Sequence, residues 1–528
     1  MTDRVSSLRA QSLDTPPSIS AERARLMTGF YRENDGKYSV PVMRALAFRY
    51  LCEHKTIYIG EDELIVGERG SAPKATPTFP ELTCHSLEDL DILNSRAKTS
   101  YVVPPSERKV YEEVVIPYWR GRSMRDRLFE ILPDDWKAAY EAGIFTEFME
   151  QRAPGHTVAD GKIYRQGLAG LKGDIDAALA RLDYAMDSEA VDKREQLTAM
   201  RIAADACILF ARRHAELARE MSRSAAPQRQ AELQRIAEVC DRVPESAPCN
   251  LWEALQSYWF CHLAVVTELN GWDAFSPGRL DQHLAPFYRL EDREAAKELL
   301  GCFWVKFNNH PAPPKVGVTA QESGTYTDFA NINIGGLTPG GQDGVNEVSY
   351  LLLEVIDEMH ILQPSNNIQL SRQNPDTFLK AACRVIRKGY GFPSVFNADA
   401  VVQELLRQGK SLRDAREAGT SGCVETGAFG KEAYVLTGYF NLPKVLEVAL
   451  NNGFDPRTGR KIGLDSGLLG TFEDCFSAWE RQVRHFVEVK IRGSAIIERM
   501  FAKYAPAPFL SLLIDDCIAK GKDYNAGG

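Results

Sequence analysis

The sequence predicts an α/β protein, and three observations carry that prediction. Up to about residue 310 the apolar residues recur at the three-to-four spacing of helices. From Pro311 onward short candidate strands alternate with helical stretches. Around Cys423 a glycine-rich stretch interrupts both patterns with a loop. Strands separated by helices imply parallel pairing, because a parallel neighbour is reached only through a long crossover.

The helical part is clearest at Lys162 to Leu182, Leu197 to Leu217 and Trp252 to Thr267. Ser276-Pro277 reads as an N-cap followed by proline at the first helical position, which starts a further helix after Phe275. The candidate strands are Lys315 to Thr319, Ala330 to Ile334, Asn367 to Ser371 and Ser394 to Asn397, with a helix from Val345 to Ile361 between the second and third. Thr338-Pro339-Gly340-Gly341 is a turn before that helix, and Asn452-Gly453 with Thr458-Gly459 mark a hairpin-like excursion.

With 528 residues and no internal repeat or long linker, one continuous unit from residue 21 to 528 is expected, preceded by a polar tail over residues 1–20. A composition of 44% hydrophobic and 26% charged residues excludes disordered, collagen-like and membrane classes, so a folded core is expected. The net charge of -9 gives no reason to bind nucleic acid or an anionic membrane; a small-molecule ligand is expected instead. The N-terminus lacks an apolar core and the most apolar stretch, Tyr258 to Val266, is too short to span a bilayer, so a cytoplasmic protein is expected. Eleven cysteines without a C-x-x-C pair or disulfide-like spacing point to reduced thiols, most of them packing residues, and no metal site is expected.

Ser411 to Tyr439 is the most informative stretch. Ser411-x-x-Asp414 resembles a capping box, Gly419 can end that helix, and Thr420-Ser-Gly-Cys423-Val-Glu425-Thr-Gly427 follows. In an extended loop, residues two apart share a side, so Cys423 and Glu425 could offer a thiol and a carboxylate to one substrate. Spacing alone favours Cys423 as a small buried residue and Glu425 as a surface charge.

Gly422-Cys423-Val424-Glu425 resembles the thiyl-cysteine loop of the glycyl radical enzymes, the pyruvate formate-lyase-like family, and the likeness covers essentially the whole chain. Its most specific pieces are Phe145 to His156, Trp272 to Arg279, Thr325 to Asn333 and Gly430 to Tyr439, which look like segments of the branch that dehydrates trans-4-hydroxy-L-proline. The resemblance implies a ten-stranded α/β barrel of two five-stranded half-barrels with the cysteine loop inside. This chain would supply the N-terminal helical region and about the first half-barrel. It further implies a glycyl radical, installed near the C-terminus by a radical S-adenosylmethionine activating enzyme, and no directly bound cofactor.

Carried over by position, Cys423 abstracts a hydrogen atom, Glu425 manages protons, and His156 lies near the departing hydroxyl. Asp273, Ser323, Asp328, Phe329 and Tyr439 resemble substrate-binding residues. On local grounds His156 could be a satisfied loop or core histidine, Asp273 a cap for the Ser276 turn, Phe329 core and Tyr439 packing. The family ends in a segment resembling Arg-Val-x-Gly-Tyr, whose glycine holds the radical, and none occurs within these 528 residues. The sequence therefore reads as incomplete at its C-terminus, lacking the glycine radical domain, inactive alone, and served by a possible second chain. A homo-oligomer is expected.

Three other readings are open. A formate C-acetyltransferase-type carbon-carbon lyase uses two adjacent cysteines, whereas Val424 follows Cys423 here. A non-catalytic remnant would not need its site motifs. A thiol hydrolase would combine Cys423 with His156.

Overall fold

A computed structural model describes residues 1–146, 160–269, 276–316, 330–422, 424–432 and 438–526. The helical periodicities fall inside longer helices, Leu197 to Leu217 within Ala190–Ser222 and Trp252 to Thr267 within Leu251–Glu268. Asn250 caps the second by accepting from the Glu253 N–H, and nearly every residue of that helix is buried. That explains an apolar run with no polar face, since a helix surrounded by other elements has nothing to present to water. Lys162 to Leu182, predicted as one helix, is two, Lys162–Arg165 and Gly167–Ala180. Gly167 takes φ +61°, and a Cβ there would sit 2.6 Å from the Glu245 carbonyl oxygen, so the chain can turn at this point only without a side chain.

Residues 1–20 are structured rather than a tail. Helix Asp3–Asp14 is capped by Thr2 and buries Val5 and Leu8. Val5 packs over Gly301, where a Cβ would meet its Cγ1 at 2.9 Å. Strand β1, Ser18–Ser20, then pairs in parallel with β2, Ala75–Pro77.

The central sheet is four parallel strands in the order β3 (Gly278–Arg279), β4 (Asn331–Gly335), β5 (Ser365–Leu370) and β6 (Ser394–Asn397). Helices Glu347–Met359 and Asp376–Ile386 make the crossovers between β4, β5 and β6, as the alternating sequence pattern requires. Two expectations are corrected here. Ser276-Pro277 leads into strand β3, and its helix begins only at Leu280, since Gly278 takes φ +72° and turns the chain into register with Ile332. Lys315 and Val316 form no strand, while the rest of that predicted element lies outside the described residues. The described residues form an open sheet rather than a closed barrel.

Alternation along β4 and β5 gives the sheet two unlike faces. Ile332, Ile334 and Ile368 are fully buried and join the main core with Val348, Leu352, Val355 and Phe378 of the crossover helices. Asn331, Asn333, Asn367 and Gln369, also buried, line the other face. Asp281 ties the outer layer to the sheet end, accepting from Gly335 N–H at 2.7 Å and from the Ser349 hydroxyl at 2.5 Å. The turn at Thr338 to Gly341 closes with a 2.8 Å bond from Gly341 N–H to the Thr338 carbonyl. The 452–459 excursion closes with an antiparallel bridge between Phe454 and Lys461.

Candidate active site at the cysteine hairpin

Ser411 accepts from the Asp414 N–H at 3.1 Å and starts the short helix Leu412–Arg416. Gly419, expected to end that helix, instead opens strand β7, Gly419–Thr420, which pairs antiparallel with β8, Thr426–Gly427. Ser421 N–H then donates to the Glu425 carbonyl at 2.8 Å. The described residues on either side of position 423 are therefore the two arms of a hairpin. Glu425 is half-buried, and its carboxylate accepts from the Val424 N–H at 3.2 Å. Val424 is 69% exposed, so this end of the hairpin is open among the described residues.

The root of the hairpin is held by the amide face of the sheet. Asn333 Oδ1 accepts from Thr420 N–H at 2.9 Å while its Nδ2 donates to the Thr420 carbonyl at 2.7 Å. Asn331 Nδ2 donates to the Ser421 and Gly422 carbonyls at 3.0 and 3.2 Å. Asn367 and Gln369 link these two and add a bond from Gln369 Nε2 to Thr420 Oγ1 at 3.0 Å. Sequence reasoning passed over all four residues. The signal was present in the alternation Asn331-Ile-Asn333-Ile and Asn367-Ile-Gln369, where amides recur every second position of a strand.

Of the other expected site residues, only Tyr439 is described. It is 62% exposed, and its backbone pairs with Thr146, which accepts from the Tyr439 N–H through Oγ1 at 3.2 Å and donates its own N–H to the Tyr439 carbonyl at 3.0 Å. Tyr439 is thereby fixed beside the segment that leads towards His156. Cys423, His156, Asp273, Ser323, Asp328 and Phe329 lie outside the described residues.

The flanks of those segments are firmly anchored. Asp160 lies 3.0 Å from His283. Burial alone would raise its carboxyl, but His283 and Arg279 bring it down to about 2. Glu268, at the end of its helix, accepts from Phe509 and Leu510 N–H at 2.8 and 3.0 Å, and burial still pushes it up to about 7. Among the described cysteines, Cys52, Cys261 and Cys302 are buried and their thiols are pushed up to about 12 by that burial, as packing residues should be. No group of three or more His, Cys, Asp or Glu side chains among the described residues is arranged to hold a metal, and no described helix is long and apolar enough to cross a membrane.

The pyruvate formate lyase-like family model matches residues 1–528. The chain belongs to that family. A trans-4-hydroxy-L-proline dehydratase of Clostridioides difficile is 51% identical over 536 residues, covering 100% of this chain and 68% of that protein. A crystal structure of hydroxyproline dehydratase from the same organism, with trans-4-hydroxy-L-proline bound, superposes with a TM-score of 0.95 at 50% identity, over 99% of this chain and 68% of that one. The B12-independent glycerol dehydratase of Clostridium butyricum gives a TM-score of 0.93 at 29% identity, over 100% of this chain and 68% of that one. These relatives are dehydratases by name, and the chain spans about two thirds of their length.

Proposed function

We propose that this chain carries the thiyl cysteine of a glycyl radical dehydratase that eliminates water from trans-4-hydroxy-L-proline or a close analogue. The observation that carries this reading is the 51% identity, sustained over the whole chain, to a dehydratase of that imino acid. The hairpin with Gly422-Cys423-Val424-Glu425 agrees with it, as does Val424 where a carbon-carbon lyase of the formate acetyltransferase type would need a second cysteine.

A glycyl radical, installed by a radical S-adenosylmethionine activating enzyme, would supply the acceptor for the Cys423 thiol hydrogen. The described surroundings suit such chemistry, because the side chains bonded to Thr420, Ser421 and Gly422 are carboxamides, with no thiol, phenol or indole among them to compete for an unpaired electron.

The Cys423 thiyl removes a hydrogen atom from the carbon beside the hydroxyl-bearing one, breaking C–H and forming S–H. The hydroxyl then leaves as water with a proton managed by Glu425, and His156 lies near the leaving group. Cys423 returns the hydrogen atom, so the reaction is redox-neutral and yields a pyrroline carboxylate and water. Asp273, Ser323, Asp328, Phe329 and Tyr439 hold the zwitterionic ring.

The test starts from the protein isolated from its own cells, whose intact mass is compared with 58.9 kDa. The full-length or two-chain enzyme is then activated under anoxia and given trans-4-hydroxy-L-proline. Consumption is expected, with none from Cys423→Ser. Glu425→Gln is expected to keep the radical signal and lose at least about a hundredfold in turnover, the scale of a general acid–base contribution. Turnover by Cys423→Ser would refute the role given to that thiol.

A further inference from the structure

We propose that Asn333, supported by Asn331, Asn367 and Gln369, is a positioning residue that clamps Thr420 to Gly422 and so fixes where the following residue, Cys423, meets its substrate. This rests on the reading of Cys423 given above.

The clamp imitates a strand. A β-neighbour would offer a backbone carbonyl to the Thr420 N–H and an N–H to the Thr420 carbonyl, and the Asn333 carboxamide does both with one side chain. Its orientation is dictated by the backbone, because Thr420 N–H can only donate and the Thr420 carbonyl can only accept. The same holds at Asn331, whose Nδ2 faces the carbonyls of Ser421 and Gly422. Between these fixed ends the direction propagates, Asn367 Nδ2 donating to Asn331 Oδ1 at 2.8 Å and Gln369 Nε2 to Asn367 Oδ1 at 2.8 Å and Asn333 Oδ1 at 3.0 Å. All four side chains are at least nine-tenths buried, so water does not compete for these bonds.

Gly419 makes the approach possible. A Cβ there would lie 2.5 Å from Asn333 Oδ1 and 2.8 Å from the Phe429 ring, so any larger residue would push the hairpin off the sheet. At the sheet end, Arg279 Nη1 donates to the Arg416 carbonyl at 3.2 Å, tying the helix before the hairpin to β3. Three consecutive hairpin residues are thus bonded to the rigid part of the molecule on the side leading into Cys423. An active-site group displaced by about 1 Å can cost about a hundredfold in rate.

Asn333→Asp tests this, since it keeps the shape and turns a donor into an acceptor facing the Thr420 carbonyl. In the activated enzyme the glycyl radical signal is expected within twofold of wild type, kcat per radical to fall about a hundredfold, and KM to stay within about threefold. Hydrogen exchange of the Thr420 amide is expected to quicken at least about tenfold. Unchanged kcat per radical, or a radical yield that falls in step with turnover, would overturn the clamp and leave a merely structural role. Should Asn333→Asp fail to fold, Thr420→Val removes only the bond from Gln369. A measurable fall in kcat per radical with faster exchange over 419–427 then supports the proposal, and wild-type values for both overturn it. If wild-type enzyme does not consume trans-4-hydroxy-L-proline, the substrate reading fails, while the exchange contrast still decides the clamp.

Discussion

The two faces of strands β4 and β5 are built from the same few residues and do opposite work. On one face Ile332, Ile334 and Ile368 disappear into the apolar core beneath the crossover helices. On the other, one peptide step away, Asn331, Asn333, Asn367 and Gln369 spend their hydrogen bonds on each other and on the cysteine hairpin. Burial of the isoleucines is non-directional and contributes roughly 2–3 kcal/mol each, whereas the amides gain little net stability per bond but define one geometry. The difference teaches that stability and placement can be assigned to alternate residues of a single strand.

Substitutions that separate the faces should produce separate effects. Ile334→Ala, on the apolar face, is expected to destabilise by about 3 kcal/mol through lost burial and a residual cavity, measured by denaturant unfolding. Its hairpin amides should exchange at the wild-type rate under strongly native conditions; faster exchange confined to the hairpin would mean that the faces are not independent.

A pH effect is expected at two buried carboxyls, Asp281 at the sheet end and Glu268 at the end of helix Leu251–Glu268. Burial pushes Asp281 up to about 6 and Glu268 up to about 7. A carboxyl raised in the folded state holds a proton that the unfolded chain has released, so its contribution falls as pH rises from about 4 through these values. Stability should therefore decline between pH 5 and pH 8, by roughly 4 kcal/mol if both carboxyls contribute in full, and Asp281→Asn should flatten the decline. A melting temperature that rises over that range, or an unaltered slope in the variant, would contradict the assignment. Asp160 works the other way, being held near 2, and its share is lost only as pH falls below about 4.

Smallest is Gln369→Leu, which removes the amide that joins both halves of the clamp. A cost of about 1 kcal/mol is expected, with faster exchange limited to residues 419–427. A loss as large as that of Ile334→Ala would show that the amide face also carries the fold.

The helices were legible because burial imposes a period, and Leu197 to Leu217 and Trp252 to Thr267 both lie inside real helices. Parallel strands were legible as short runs, placed within two residues for β4 and β5 and without error for β6. The break at Gly167 was not, because it is dictated by the approach of Glu245, some eighty residues away. Gly419 misled for a related reason. Glycine serves a helix end and a close approach equally well, and only the presence of Asn333 tells which is meant. In the site, the cysteine motif stood out through its likeness to a family, whereas its holders are ordinary amides whose role appears only when β4, β5 and the hairpin are brought together.

Carboxamides age. An asparagine side chain can lose ammonia when the nitrogen of the next residue attacks it, and the product is the aspartate that would reverse the clamp's polarity. Asn331, Asn333 and Asn367 are each followed by isoleucine, whose branched side chain crowds that attack, and their segments are held in the sheet ladder. Asn452, by contrast, is exposed and precedes Gly453, which has no side chain to crowd the attack, although the buried Gly453 N–H is bonded to the Val448 carbonyl. The isoleucines that fill the core thus also act as chemical preservatives for the amides beside them, and slow damage to this protein should register at residue 452 long before it reaches the hairpin.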